Sequence, residues 1–139
     1  MRKSILALTL LLWGCGQLNE LPSGPGDGEP VDPTATFTRV QNEVFTPTCA
    51  LAGCHDPVGQ QSALVLTPGR AYASTVNVQS AESPGLARVA PGDPTNSYLY
   101  RKITGAGITG ARMPLGLPEL DAARTRLVRD WIRRGAPND

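Results

Sequence analysis

The sequence predicts an all-α domain of short helices joined by long loops, and three observations carry that expectation. Leu120, Ala123, Leu127, Val128, Trp131 and Ile132 form an apolar stripe at helical spacing. Phe37, Val40, Gln41, Val44 and Phe45 repeat that spacing near the other end. No convincing strand appears, apart from the ambiguous apolar run Leu64–Leu66, and the 15 Gly and 13 Pro of the 139 residues keep the helices brief.

Ahead of these elements, Arg2 and Lys3 precede the apolar run Ile5–Trp13 and then Gly14 and Cys15. A basic start, a short apolar stretch and a small residue before a cut predict a secretory signal peptide over residues 1–14. The run is far shorter than the roughly 20 residues a membrane-spanning helix requires. Leu12-Trp13-Gly14-Cys15 resembles the lipobox of bacterial lipoproteins, although Trp13 stands where that family has a small residue. The resemblance implies that Cys15 is lipidated and becomes the first residue of the mature chain. Gly16, rather than Asp, follows it and favours the outer membrane over the inner within the cell envelope or periplasm. An ordinary signal peptide with an incidental Cys is the alternative. Residues 15–36 are rich in Pro and Gly and nearly devoid of apolar side chains, which predicts a flexible linker between lipid and domain.

The domain proper is expected over 37–139. Its first helix should stop at Pro47. A short helix is expected from Arg70 to Val76. Asp93 before Pro94 signals a further helix start, with Leu99 and Ile103 on the buried side. Gly105–Gly116 must be loop. Pro118-Glu119 should open the last and best helix, which has Arg133 and Arg134 in its final turn and ends at Gly135. Two Phe, three Tyr and one Trp make a small core for about 100 residues, so a disulfide, metal or cofactor is expected to contribute.

The three cysteines sharpen that expectation. With Cys15 assigned to the leader, Cys49 and Cys54 remain, in Cys49-Ala50-Leu51-Ala52-Gly53-Cys54-His55. Covalent haem attachment uses two thiols and an adjacent His as iron ligand, ordinarily as Cys-x-x-Cys-His. Four residues separate the thiols here, and the small Ala50, Ala52 and Gly53 make the longer loop sterically easy. A Cys49–Cys54 disulfide in an oxidising compartment is the principal alternative. Zinc would find only two Cys and the single His, and blue copper would need a second His. Met113 is the one Met after the initiator, 58 residues beyond His55, and it sits in a Gly-rich loop without helical period. It is either a loop Met packed on the domain or a thioether iron ligand, which would raise the reduction potential and favour electron transfer over oxygen chemistry.

From about residue 37 to 137 the chain resembles the small c-type cytochrome domains of exported bacterial lipoproteins. The matching pieces are Gly53-Cys54-His55, Val89-Ala90-Pro91-Gly92-Asp93-Pro94, Ser97–Ile103, Met113-Pro114, Leu120-Asp121 and Trp131–Ala136, in the family's order. The resemblance implies a class I-like cytochrome fold around one covalent haem c on Cys49 and Cys54, with His55 and Met113 as axial ligands. Candidate donors to the haem propionates are Arg70, Tyr72, Tyr98, Arg101, Lys102 and Arg112, and a carbonyl near Pro68 is a candidate partner for the other ring nitrogen of His55.

The function expected is non-enzymatic electron transfer with redox partner proteins, at a membrane reached through the lipid on Cys15. Asp56 and Glu119 read as turn and cap residues, not as catalytic groups. Net charge is +1 with acids and bases interspersed, which excludes a nucleic-acid-binding tract. Two other functions stay open. One is a haem-free, disulfide-containing structural or binding lipoprotein. The other is a haem sensor or small oxidase or peroxidase module, should Met113 not bind iron.

Overall fold

The structure, a computed structural model, describes residues 29–139. The predicted signal peptide, the lipidation residue Cys15 and the linker up to residue 28 lie outside the described residues. Within them the chain is helical and no strand forms. The helices are α1 (Phe37–Val40), running into a π-helical stretch Gln41–Cys49, then α2 (Ala71–Thr75), α3 (Tyr98–Thr104) and α4 (Ala122–Arg133), with one 3₁₀ turn at Gln61–Ala63. No helix among the described residues is long and apolar enough to cross a membrane.

Every backbone donor in the first turn of α1 is satisfied. The Thr36 hydroxyl accepts from the Arg39 amide at 3.2 Å. Asp139 does the rest from the far end of the domain, its side chain accepting from Phe37 N at 2.9 Å and its backbone oxygen from Thr38 N at 2.9 Å.

Pro47 does not end the helix as the sequence predicts; it lies inside the π-helical stretch. A proline in an α-helix collides with the carbonyl four residues back. The wider π turn relieves that conflict, so the helix passes through Pro47 and closes at Ala50 N to Phe45 O, 2.8 Å. It therefore ends on Cys49.

Helix α4 begins later than Pro118-Glu119, because Asp121 is the residue whose carboxylate accepts from Arg124 N at 2.8 Å. Glu119 instead pairs with Arg112. The end of α4 is as predicted. Gly135 takes a positive φ of 93°, with Gly135 N bonded to Ile132 O and Ala136 N to Trp131 O, a Schellman closure. Leu127, Val128, Trp131 and Ile132 are buried, while Ala123 is exposed. Helix α3 also starts later than Asp93-Pro94. Asp93 spends its carboxylate on Asn96, bonding its backbone N at 3.0 Å, and the helix opens after Ser97. Leu64–Leu66 is an extended connection, not a strand.

The core forms where α1 and its π-helical continuation cross α4. Val40, Val44 and Phe45 join Leu127, Val128, Trp131 and Ile132 in one cluster that also takes in Leu99, Ile103, Val89 and Leu66. Trp131 is fully buried, its ring 5.5 Å from Phe37, and its Nε1 donates to Pro137 O at 2.9 Å. Phe37 is further boxed by Tyr72 in an edge contact at 5.2 Å.

Residues 29–36, assigned by composition to the linker, are packed on α4. Ala35 is fully buried. Glu29 pairs with Arg126 and Arg129 at 3.4 and 2.9 Å, and its carbonyl accepts from Arg133. Asp32 N donates to the buried carboxylate of Asp130, which Arg129 also binds at 2.8 Å. The buried Ala35, Glu29 on the α4 arginines, and Asp32 held by Arg39 and by Asp130 are enough to dock a strap that composition alone marks as tether.

Two substitutions separate the contributions. Trp131→Ala is expected to cost about 3–5 kcal/mol in urea unfolding, the range for emptying a buried aromatic site. Glu29→Ala should cost less than about 1 kcal/mol, since its ion pairs are half exposed.

Candidate functional site

One cleft of about 540 Å³ opens beside the core, and it is lined by all four residues of the domain singled out for haem: Cys49, Cys54, His55 and Met113. Different elements deliver them. Cys49 ends the π-helical stretch, Cys54 and His55 follow in a turn, and Met113 comes from the loop after α3. Apolar side chains make most of the wall, among them Val44, Phe45, Leu66, Leu99, Ile103 and Val128. The size and the lining, apolar with a few placed polar groups, are those of a site for an organic cofactor or ligand.

The turn after Cys49 is held by its own backbone. Cys54 N donates to Leu51 O at 2.9 Å, His55 N to Cys49 O at 3.2 Å, and Leu66 N to His55 O at 2.7 Å. Cys49 and Cys54 are both free thiols, Cys54 exposed and Cys49 half-buried. Burial pushes the Cys49 thiol up from its ordinary value, with a 3.4 Å contact to the Thr48 hydroxyl opposing the shift. Cys49 is therefore a neutral thiol at physiological pH.

His55 Nδ1 is buried and has no hydrogen-bond partner. A buried polar atom left unpaired costs about 1–3 kcal/mol, so it marks a place where something remains to be bound. Burial holds the His55 pKa below its ordinary value, and the backbone of Leu64 and Gln61 partly opposes this. The ring thus stays neutral, the form that ligates a metal. The expected bond from a carbonyl near Pro68 to the ring is not made, since Nδ1 pairs with no protein group.

Met113 is half-buried and is not part of the hydrophobic core. Its position is set from α3. Met113 N donates to Lys102 O at 2.9 Å, and Arg112 Nε to Ile103 O at 2.8 Å. The Met113–Pro114 peptide is cis. The same loop is held further back by Tyr98, whose hydroxyl accepts from Thr109 N at 3.1 Å, and by Lys102 Nζ, which donates to Thr109 O at 3.1 Å.

Of the six candidate propionate donors, Tyr98 and Lys102 line the cleft. The other four do not. Tyr72 donates to Ala136 O, Arg101 to Thr95 O, Arg112 to Ile103 O, and Arg70 is exposed away from it. Arg88 lines the cleft and was not singled out, because nothing in its sequence context distinguishes it. It spans Ser74 O at 2.8 Å and Ser62 O at 2.9 Å, tying α2 to the segment behind the thiols. Glu82 is the other charged residue of the lining not marked by sequence, paired with Lys102 at 2.8 Å.

Among the described residues no group of three or more His, Cys, Asp or Glu converges to hold a metal ion on its own. Searches against family models, curated proteins and solved structures returned no match to the chain.

The Glu82–Lys102 pair has a pH signature. Lys102, the largest influence, holds the Glu82 carboxyl below its ordinary value of 4.5. Because the folded value is the lower one, the pair stabilises the domain fully above about pH 4.5 and loses that contribution as pH falls through the folded value. Urea unfolding should show Glu82→Gln less stable than wild type at pH 7. The difference should shrink steadily below pH 4.5; a gap that is constant with pH would contradict the ion pair.

Proposed function

We propose that this chain carries one covalent haem c and transfers electrons, as a class I cytochrome c-like domain of an exported lipoprotein. The observation that carries the reading is the convergence of Cys49, Cys54, His55 and Met113 on a single apolar cleft, although 58 residues separate His55 from Met113. A haem bound there would supply an iron that cycles between ferric and ferrous states.

The residues divide the work. Cys49 and Cys54 would hold the group by thioether bonds. His55, with its Nδ1 unpartnered and its neutral form favoured by burial, and the Met113 thioether would hold the iron. Tyr98, Lys102 and Arg88 would offer donors to its carboxylates. Val44, Phe45, Leu99, Ile103 and Val128 would exclude water from one face, and the exposed Cys54 side leaves an edge for contact with redox partner proteins. With His55 and Met113 both committed to holding the iron, the site would serve electron transfer and offer no position for a substrate.

Mass spectrometry and spectra test this. Chain produced with a cytochrome maturation system should gain the mass of one haem that survives acid–acetone extraction. A haem-free chain at the processed mass less two hydrogens would support the disulfide-containing structural or binding lipoprotein instead. His55→Ala should abolish the low-spin spectrum. Met113→Ala should keep the haem, lose the ferric sulfur-to-iron band and bind carbon monoxide rapidly in the ferrous form. If wild type itself binds carbon monoxide rapidly, the site is open and a sensor or oxidase role replaces electron transfer.

The same proposal extends to the cell envelope. Cys15 would carry the lipid and residues 16–28 would join it to the domain, with the outer membrane the favoured location. Fatty-acid labelling of the mature protein should be lost in Cys15→Ser.

A further inference from the structure

The unusual part of the thiol motif is its four-residue spacer, and the residues just after it show how this chain manages that length. Asp56 Oδ1 accepts two backbone hydrogen bonds, from Gly53 N at 3.2 Å inside the spacer and from Gly59 N at 2.7 Å beyond it. Asp56 O accepts from Gln60 N at 3.0 Å, and Gln61 N returns to Cys54 O at 3.0 Å. The chain from Asp56 to Gln61 thus loops back and lies against the backbone of Gly53 and Cys54.

The contact is close enough to exclude a side chain. A Cβ on Gly59 would stand 2.5 Å from the Gly53 carbonyl carbon, 2.7 Å from Cys54 O and 2.7 Å from Asp56 Oδ1. The first two are backbone atoms and cannot yield cheaply, and the third is the carboxylate oxygen that holds the loop. Gly59 has no positive φ, unlike Gly53 at 78°. Space, and not backbone conformation, is what requires glycine at 59.

We propose that Asp56 and Gly59 are positioning residues for haem attachment. Together they clip the spacer into one compact shape that sets Cys54 at a fixed distance from Cys49. The inference rests on the haem reading above and deepens it. A two-residue spacer has little freedom to misplace its second thiol, whereas a four-residue one has several backbone torsions more to fix. At each attachment the thiol adds across a vinyl group: sulfur bonds to the carbon next to the ring and the thiol hydrogen goes to the terminal carbon, with no net electron transfer. Asp56 and Gly59 touch none of these atoms. They determine whether both thiols reach their vinyl groups on the same chain.

The test counts thioether bonds. Full-length chains are matured with haem, free thiols are alkylated, and intact mass is read beside the pyridine haemochrome band, whose position differs for one and two thioethers. Wild type should be doubly attached with neither Cys49 nor Cys54 alkylated. Asp56→Ala should raise the singly attached fraction several-fold, with the free thiol at Cys54. Asp56→Asn should restore double attachment, because its amide oxygen accepts the same two bonds. Gly59→Ala should reproduce the Asp56→Ala defect, and it decides the matter if Asp56→Ala is not recovered. Double attachment at the wild-type level in both Asp56→Ala and Gly59→Ala would overturn the clip and leave the haem reading standing. Wild type without haem would overturn the haem reading and the clip with it.

Discussion

Trp131 against Phe37 is the contact on which the rest of the domain is built. A chain of this length with so few large side chains has to concentrate its apolar burial, and it does so where α4 crosses α1. Phe45 and Val44 extend that contact along the π-helical stretch, and their far sides already belong to the cleft. The wall of the site therefore shares Val44, Phe45, Leu66, Leu99, Ile103 and Val128 with the core. Filling the cleft with an apolar group would enlarge the core.

Around this crossing, the cleft is completed by segments with little regular structure, each fixed by a few specific bonds. The π-helical turn brings Cys49 to the edge of the cleft despite Pro47. Backbone hydrogen bonds fold Cys54 and His55 back over Cys49. On the far side, α3 supplies carbonyls from its last turn to Arg112 and Met113. Loops placed by a rigid scaffold complete the cleft, and the scaffold here is little more than two helices and the aromatic contacts of Phe37 with Phe45, Tyr72 and Trp131.

Much of this was legible beforehand. The stripe through Leu127, Val128, Trp131 and Ile132 and the Gly135 stop are local signals that tertiary structure had no reason to override. The grouping of Cys49, Cys54, His55 and Met113 was legible from scarcity, since each is nearly the sole residue of its type in the domain. The helix starts were less so. Asp93 offers the same carboxylate as Asp121 but uses it on the Asn96 turn, Glu119 pairs with Arg112, and α3 opens after Ser97 without a side-chain cap. Pro47 was misleading because the rule against proline presumes α geometry. Arg88, Asp130 and the packing of residues 29–36 were invisible for a common reason: each depends on a partner far away in sequence, and a charged residue looks solvated until that partner is known.

The strap of residues 29–36 lies on Arg126, Arg129, Asp130, Arg133 and Arg134, none of which lines the cleft. Asp139 sits beside Phe37, Thr38 and Arg134, also clear of it. Both ends of the folded unit thus leave from one neighbourhood. A pull on the chain at Glu29 would therefore load the Arg126 and Arg129 ion pairs first and leave the cleft wall out of its path.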